Sequence, residues 1–261
     1  MIPDLARFPA PWLADAELSF TIGRPERVGL SFFSTDRAAF DAFTEQIGLS
    51  RETREDEERL RARFDLGPRH WVKLHYVAGK ANGSSQYFAI QQRNHNPITT
   101  LRLFARQFGA RDVTRLETML TAALEREGTS WIVILKRRLP VAEPRLSCRV
   151  PRAVVPTLVQ AVVTDGRLEP ERAARYLEWN RRVQAGDAAW VTFDPLRSEL
   201  CGLDFEDPDR LSLPAGWEEA TAGIAGAPPR YLKCRLSPGT SGPEWVVYVP
   251  APRAPEEPQN G

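Results

Sequence analysis

The sequence predicts an α/β fold of the α+β kind: a closed ten-stranded antiparallel β-barrel of repeated ββαα units, ringed by helices. Three observations predict it. Segments with the two-residue alternation of β-strands come in pairs, five times along the 261 residues. Helical periodicity fills most of the stretches between the pairs. Ten antiparallel strands would leave two exposed edges unless the first strand met the last, and closure removes both.

The first hairpin is AELSFTIGR/VGLSFFS, residues 16–34. Asp36 or Thr35 then caps a helix with Phe40, Phe43 and Ile47 at helical spacing; Gly48 stops it, and a strongly charged helix begins at Ser50. The second hairpin, HWVKLHYVA/QYFAIQQR (70–93), carries a Gly/Ser-rich turn. Asn96-Pro97 opens the next helix, striped by Leu101, Phe104 and Phe108 and ended by Gly109. Val113, Leu116, Leu120 and Leu124 mark a further helix up to Gly128. After the third hairpin, WIVILKRR/RLSCRV (131–150), the plan repeats: PRAVVPTLVQAVV, a break at Thr164-Asp165-Gly166, then EPERAARYLEWNRRVQ. The fourth hairpin, AWVTFD/LCGLDFE (189–206), leads into DPDRLSLPAGWEEATAGIAGAPP, which holds one helix, and RYLKCRL/EWVVYV (230–249) completes the series. Residues 1–250 read as a single domain and 251–261 as a disordered tail.

Thirty-five basic residues balance 34 acidic ones, for a net charge of +1, which argues against a general nucleic-acid or membrane-surface binder. Cys148, Cys201 and Cys234 form no CxxC pair, MIPDLARFPAPW lacks the form of a signal peptide, and no apolar run reaches membrane-spanning length. These features suggest reduced thiols and a cytoplasmic protein. His70, His75 and His95 lie in one stretch without metal-ligand spacing, and P-loop, GxGxxG and GxSxG motifs are absent, so neither a metal nor a cofactor is expected. The acidic run 204–209 reads as a solvated strand end, and EDEERLRAR as a salt-bridged helix face.

Sorting each strand by parity separates two faces. Leu18, Phe20 and Ile22 oppose Glu17, Ser19 and Thr21; Val72 and Leu74 oppose Trp71, Lys73 and His75. Leu146, Cys148 and Val150 oppose Arg145, Ser147 and Arg149; Leu232, Cys234 and Leu236 oppose Tyr231, Lys233 and Arg235. The apolar face suits packing against helices. An open sheet with one solvated face gives the same alternation, but the second face is rich in Trp, Tyr and Arg, types suited to a ligand. Lys73, Arg149, Lys233 and Arg235 are then candidates to bind a phosphate or diphosphate. Trp71, Tyr87, Trp190, Tyr231 and Tyr248 are candidates to shield a carbocation. Glu17 would accept a proton from a bound aromatic compound, or else pair with Arg24 or Arg27.

With these residues in place, the pattern resembles the aromatic prenyltransferases of the ABBA type, whose ten-stranded barrel is ringed by paired helices. Ala16-Glu17-Leu18-Ser19 is similar to the opening strand of the indole-prenylating branch, and Lys73-Leu74-His75, Arg145–Arg149 and Lys233-Cys234-Arg235 are partial matches to its diphosphate-binding patterns. The resemblance implies a metal-independent transferase of secondary metabolism, with an allylic diphosphate as co-substrate and an indole or phenolic small molecule as acceptor. It implies Glu17 at the acceptor, Arg27 with the other cations at the diphosphate, and His75 beside the aromatic residues in the substrate pocket. His75 and Arg235 stand where tyrosines of that family's shield are expected, and Ser147 where a lysine is. A monomer or weak dimer is expected. The alternatives are an acid–base enzyme such as a cyclase on the same scaffold, using Glu17 and His75, or a non-catalytic barrel that binds an anionic aromatic ligand.

Overall fold

The computed structural model describes residues 16–90, 97–109, 130–138, 141–164, 168–182, 188–194, 199–207, 231–236 and 244–251, together with a few single positions between them. The strands are β1 (Ala16–Thr21), β2 (Arg24–Ser34), β3 (His70–Val77), β4 (Lys80–Ile90), β5 (Ser130–Arg138), β6 (Val141–Pro151), β7 (Ala188–Asp194), β8 (Glu199–Asp207), β9 (Tyr231–Leu236) and β10 (Glu244–Pro250). Each pairs antiparallel with its sequence neighbours, and β1 pairs with β10 through Leu18↔Val249 and Phe20↔Val247, which closes the ladder.

The helices are α1 (Arg37–Gln46), α2 (Ser50–Arg61), α3 (Pro97–Gln107), α4 (Val155–Thr164) and α5 (Pro170–Arg182). Asp36 caps α1, accepting hydrogen bonds from the Ala38 and Ala39 amides at 2.8 and 3.4 Å. Gly48, at φ +72°, takes the left-handed conformation that turns the chain from α1 into α2.

The helix expectation needs correction. Among the described residues strand outweighs helix, with two helices after the first hairpin, one of defined bounds after the second and two after the third. A regular series of ββαα units ringed by helix pairs is therefore not what the described residues form. The helix expected at 113–124 is represented by single helical positions at Thr114, Glu117 and Thr121. The helix of the fourth connection and the tail beyond Ala251 lie outside the described residues.

The second hairpin also turns elsewhere than expected. Ala78 and Gly79, at φ +50° and +78°, make a two-residue turn, so Lys80–Ser85 belongs to the strand rather than to a loop. A register shift between His75 and Tyr76 absorbs the mismatch.

Apolar side chains lie on the outer face of the sheet, beneath the helices. Leu18, Phe20, Leu30, Phe32, Val72, Val247 and Val249 pack with Phe40 and Phe43 of α1. Leu146, Cys148, Val191, Phe193 and Phe205 pack with Leu158, Val159 and Val162 of α4 and Tyr176 of α5. Burial pushes the Cys148 thiol up, as for an unreactive core cysteine, and the Tyr176 phenol up to about 12. Phe43 stacks on Phe32 with ring centroids 4.3 Å apart. Phe43→Ala is expected to cost about 3–5 kcal/mol through lost burial and the cavity left behind, read as a lower midpoint in denaturant unfolding. A change under about 1 kcal/mol would mean that α1 does not anchor this side of the sheet.

With the outer face apolar, the opposite parity points into the barrel. Ser19 Oγ lies 3.5 Å from the Gly29 carbonyl across the β1–β2 ladder, and the Lys73 side chain crosses the face of Gly29. The lumen is therefore lined by the polar and aromatic set.

Candidate functional site

Lys73 of β3 and Lys233 of β9 stand four strands apart around the ring, yet both ammonium groups approach one aromatic side chain. Lys73 Nζ lies 4.9 Å from the centroid of the Tyr248 ring, and Lys233 Nζ 5.8 Å. Lys73 and Tyr248 are buried, at 8% and 5% exposure. Gly29 makes this possible, because its missing side chain leaves the volume that the Lys73 stem occupies.

Arg235 is next along β9, and its guanidinium makes a two-pronged contact with Asp204 of β8 at 2.8 and 3.2 Å. Asp204 holds Arg235 firmly protonated against the cost of burial. The pair is close to neutral, so Arg235 adds little net positive charge to the cluster. Burial pushes the Lys73 ammonium below its ordinary value, with further lowering from Arg235 and Lys233. Burial alone would raise the Tyr248 phenol, but Lys73, Lys233 and Arg235 together outweigh it and hold the group below a tyrosine's usual value.

Beside this cluster stands an aromatic wall. Trp71 stacks on Tyr87 with centroids 3.9 Å apart and planes 14° from parallel, and Phe33 leans on Trp71 at 5.0 Å. Burial pushes the Tyr87 phenol well above its usual value. His75 shares a 2.8 Å hydrogen bond with Ser85. Ser31 Oγ, Trp71 Nε1 and Trp190 Nε1 are buried donors without a hydrogen-bond partner among the described residues, all three on lumen-facing positions.

The sequence-predicted residues divide accordingly. Lys73, Lys233, Arg235 and Tyr248 come together, with Trp71, Tyr87 and His75 alongside. Glu17 is buried on the same face, opposite Ser31. Arg149 is exposed at the helix-side end, opposite Trp190 in the ladder, and does not join the lysines. Arg27 is also set apart: half exposed at the turn-side rim, it lies 3.9 Å from Glu244, which Arg24 holds at 3.0 Å. Tyr231 pairs with Tyr248 across the β9–β10 ladder, but its side chain lies outside the described residues.

Sequence reasoning missed Asp204, Ser85, Gly29 and the ion pair of Arg145 with Asp194 at 2.9 Å. Asp204 had a legible signal, since strand parity puts it on the face of Trp190 within the acidic run 204–209. Ser85 was hidden by the turn assignment. Gly29 carries no signal until Lys73 is placed.

Among the described residues no three His, Cys, Asp or Glu side chains converge as metal ligands would, and no helix is long and apolar enough to cross a membrane. No family model and no curated protein matches the chain.

Proposed function

We propose that the lumen transfers a prenyl group from an allylic diphosphate to an aromatic small molecule, indole or phenolic, without a metal ion. One observation carries this: two lysines recruited from opposite parts of the ring meet over a tyrosine beside a stacked aromatic wall. Lys73 and Lys233 would hold the diphosphate and stabilise the charge it gains as the allylic carbon–oxygen bond breaks. Tyr87 and Trp71, beside Tyr248, would face the carbocation and exclude water from it. Glu17 orients the acceptor or takes its proton, and the unpartnered N–H groups of Trp71 and Trp190 suit oxygen atoms on that acceptor. Arg235 serves mainly to position Asp204 and Lys233, while Arg27 and Arg149 at the two rims attract the anion before it enters. A cytoplasmic monomer or weak dimer fits this role.

The protein is incubated with dimethylallyl diphosphate and a panel of indoles and phenols, with and without EDTA. Expected are inorganic diphosphate and a prenylated product, unaffected by EDTA. Lys233→Ala should lower kcat/KM about 10- to 100-fold, the loss of one charge-assisted contact. Glu17→Gln should lower kcat with little change in KM for the diphosphate. No diphosphate release and no binding would remove the proposal.

The low-lying Tyr248 phenol favours a second reading, acid–base chemistry on an anionic aromatic ligand. Consumption of such a compound without any allylic diphosphate would favour it.

A further inference from the structure

We propose that Tyr248 is the proton carrier of the lumen, not a passive part of its aromatic wall. Tyr248 stands on β10 with Ser19 of β1 directly across the ladder and Glu17 two residues further along that strand. On its other side β9 presents Lys233 and Arg235, and from across the lumen come Lys73 of β3, Asp204 of β8 and Tyr87 of β4. Lys73 Nζ lies 4.9 Å and Lys233 Nζ 5.8 Å from the centroid of the Tyr248 ring. A cation-shielding ring needs no such arrangement, because two ammonium groups near its face compete with the carbocation for the same π-electrons. They suit instead a hydroxyl that passes through its anionic form.

This inference rests on the prenyl-transfer reading for its substrates. As the allylic carbon–oxygen bond breaks, its electron pair leaves on the diphosphate, and the Tyr248 hydroxyl gives its proton to that oxygen. The acceptor ring supplies the pair for the new carbon–carbon bond. The ring C–H bond then breaks, its electrons restore aromaticity, and the proton returns to the Tyr248 phenolate. Atoms and charge balance with no further reactant, and Tyr248 ends as it began. The neighbouring lysines make the phenol a stronger acid in the first step and stabilise the phenolate before the second.

The test is an ultraviolet difference titration of tyrosine ionisation on the whole protein, beside kcat against pH. Tyr87 and Tyr176 are pushed upward by burial, which leaves an early step distinguishable. Wild type should show one phenolate forming at lower pH than the rest. Tyr248→Phe should lack that step, and Lys73→Met should move it up by about one pH unit or more. With an acceptor that turns over, kcat should fall on the alkaline side with the same midpoint. Tyr248→Phe should lower kcat about 100-fold while leaving KM for the allylic diphosphate within about threefold. No early step, or a Tyr248→Phe variant with undiminished kcat, overturns the proposal. An early step that responds to Lys73→Met in a protein that prenylates nothing removes the prenyl reading and keeps Tyr248 as the acid–base group. Prenyl transfer without the early step does the reverse.

Discussion

Gly29→Ala is expected to abolish most of the anion affinity of the lumen while leaving the barrel folded. A Cβ on Gly29 would overlap Lys73 Cε and stand 2.5 Å from Ser19 Oγ, closer than such atoms ever approach. The backbone of β2 is held by ladders on both sides, through Ser19↔Gly29 and Gly29↔His75, so the side chain must give way. Lys73 is flexible enough to move, and moving takes its ammonium off Tyr248. A charge-assisted contact of this kind is worth about 1.5–3 kcal/mol, which predicts pyrophosphate binding weakened roughly 10- to 100-fold by calorimetry. Lys73→Met should show a similar loss, and the double variant should bind no worse than either single one, because both remove the same contact. Full additivity, or unchanged binding in Gly29→Ala, would show that Lys73 does not hold the anion.

Glu57→Gln is expected to lessen the acid sensitivity of the fold and to destabilise it at neutral pH. The Glu57 carboxylate, 2% exposed on α2, is met by Arg37 of α1 at 2.8 Å, Arg61 of α2 at 2.7 Å and His70 of β3 at 3.5 Å. It thus ties the α1–α2 pair to the start of β3. Burial would raise its pKa, but hydrogen bonds from His70 and Arg61, with the charges of His70 and Arg37, bring it down to about 2. A carboxyl depressed on folding contributes stability that is complete above its unfolded pKa of roughly 4.3. That stability is lost as pH falls toward 2, and it amounts to about 3 kcal/mol. Denaturant midpoints at pH 7, 4 and 2.5 should therefore fall steeply for wild type and more gently for Glu57→Gln. Parallel curves would show that Glu57 carries none of the acid response.

The strand pattern shows which parts of the site could be read in advance. Lys73 and Lys233 sit on strands whose alternation is strong, so parity alone assigned them to one face, whereas the EWVVYV strand of Tyr248 alternates weakly. Ser85 was lost because Gly83 and its polar neighbours look like a loop, whereas the chain turns at Ala78-Gly79 and continues as strand. Arg149 and Arg27 share the parity of the lysines and still fall at the rims, since parity fixes a face but not a height along the barrel. Arg235 carries the right charge in the right place, but Asp204 neutralises it, and a partner 31 residues away is invisible to local pattern.

By itself the sequence determined that strands come in five pairs and, where alternation is strong, which side is apolar, because both follow from interactions between near neighbours along the chain; it misplaced the turn of the second hairpin. It also placed the start of α1 at Thr35 or Asp36, and in the structure the short carboxylate of Asp36 satisfies two amides of the first turn. Only the tertiary structure decided the rest. The meeting of β1 with β10 brings residues 225 to 233 positions apart into one ladder, and no local preference distinguishes that from an open sheet. The same closure decides that Lys73 reaches Tyr248 rather than solvent, and that it does so through the space left at Gly29. Charge and side-chain type are local properties, whereas the excess charge in a site depends on which partners the fold brings within contact distance.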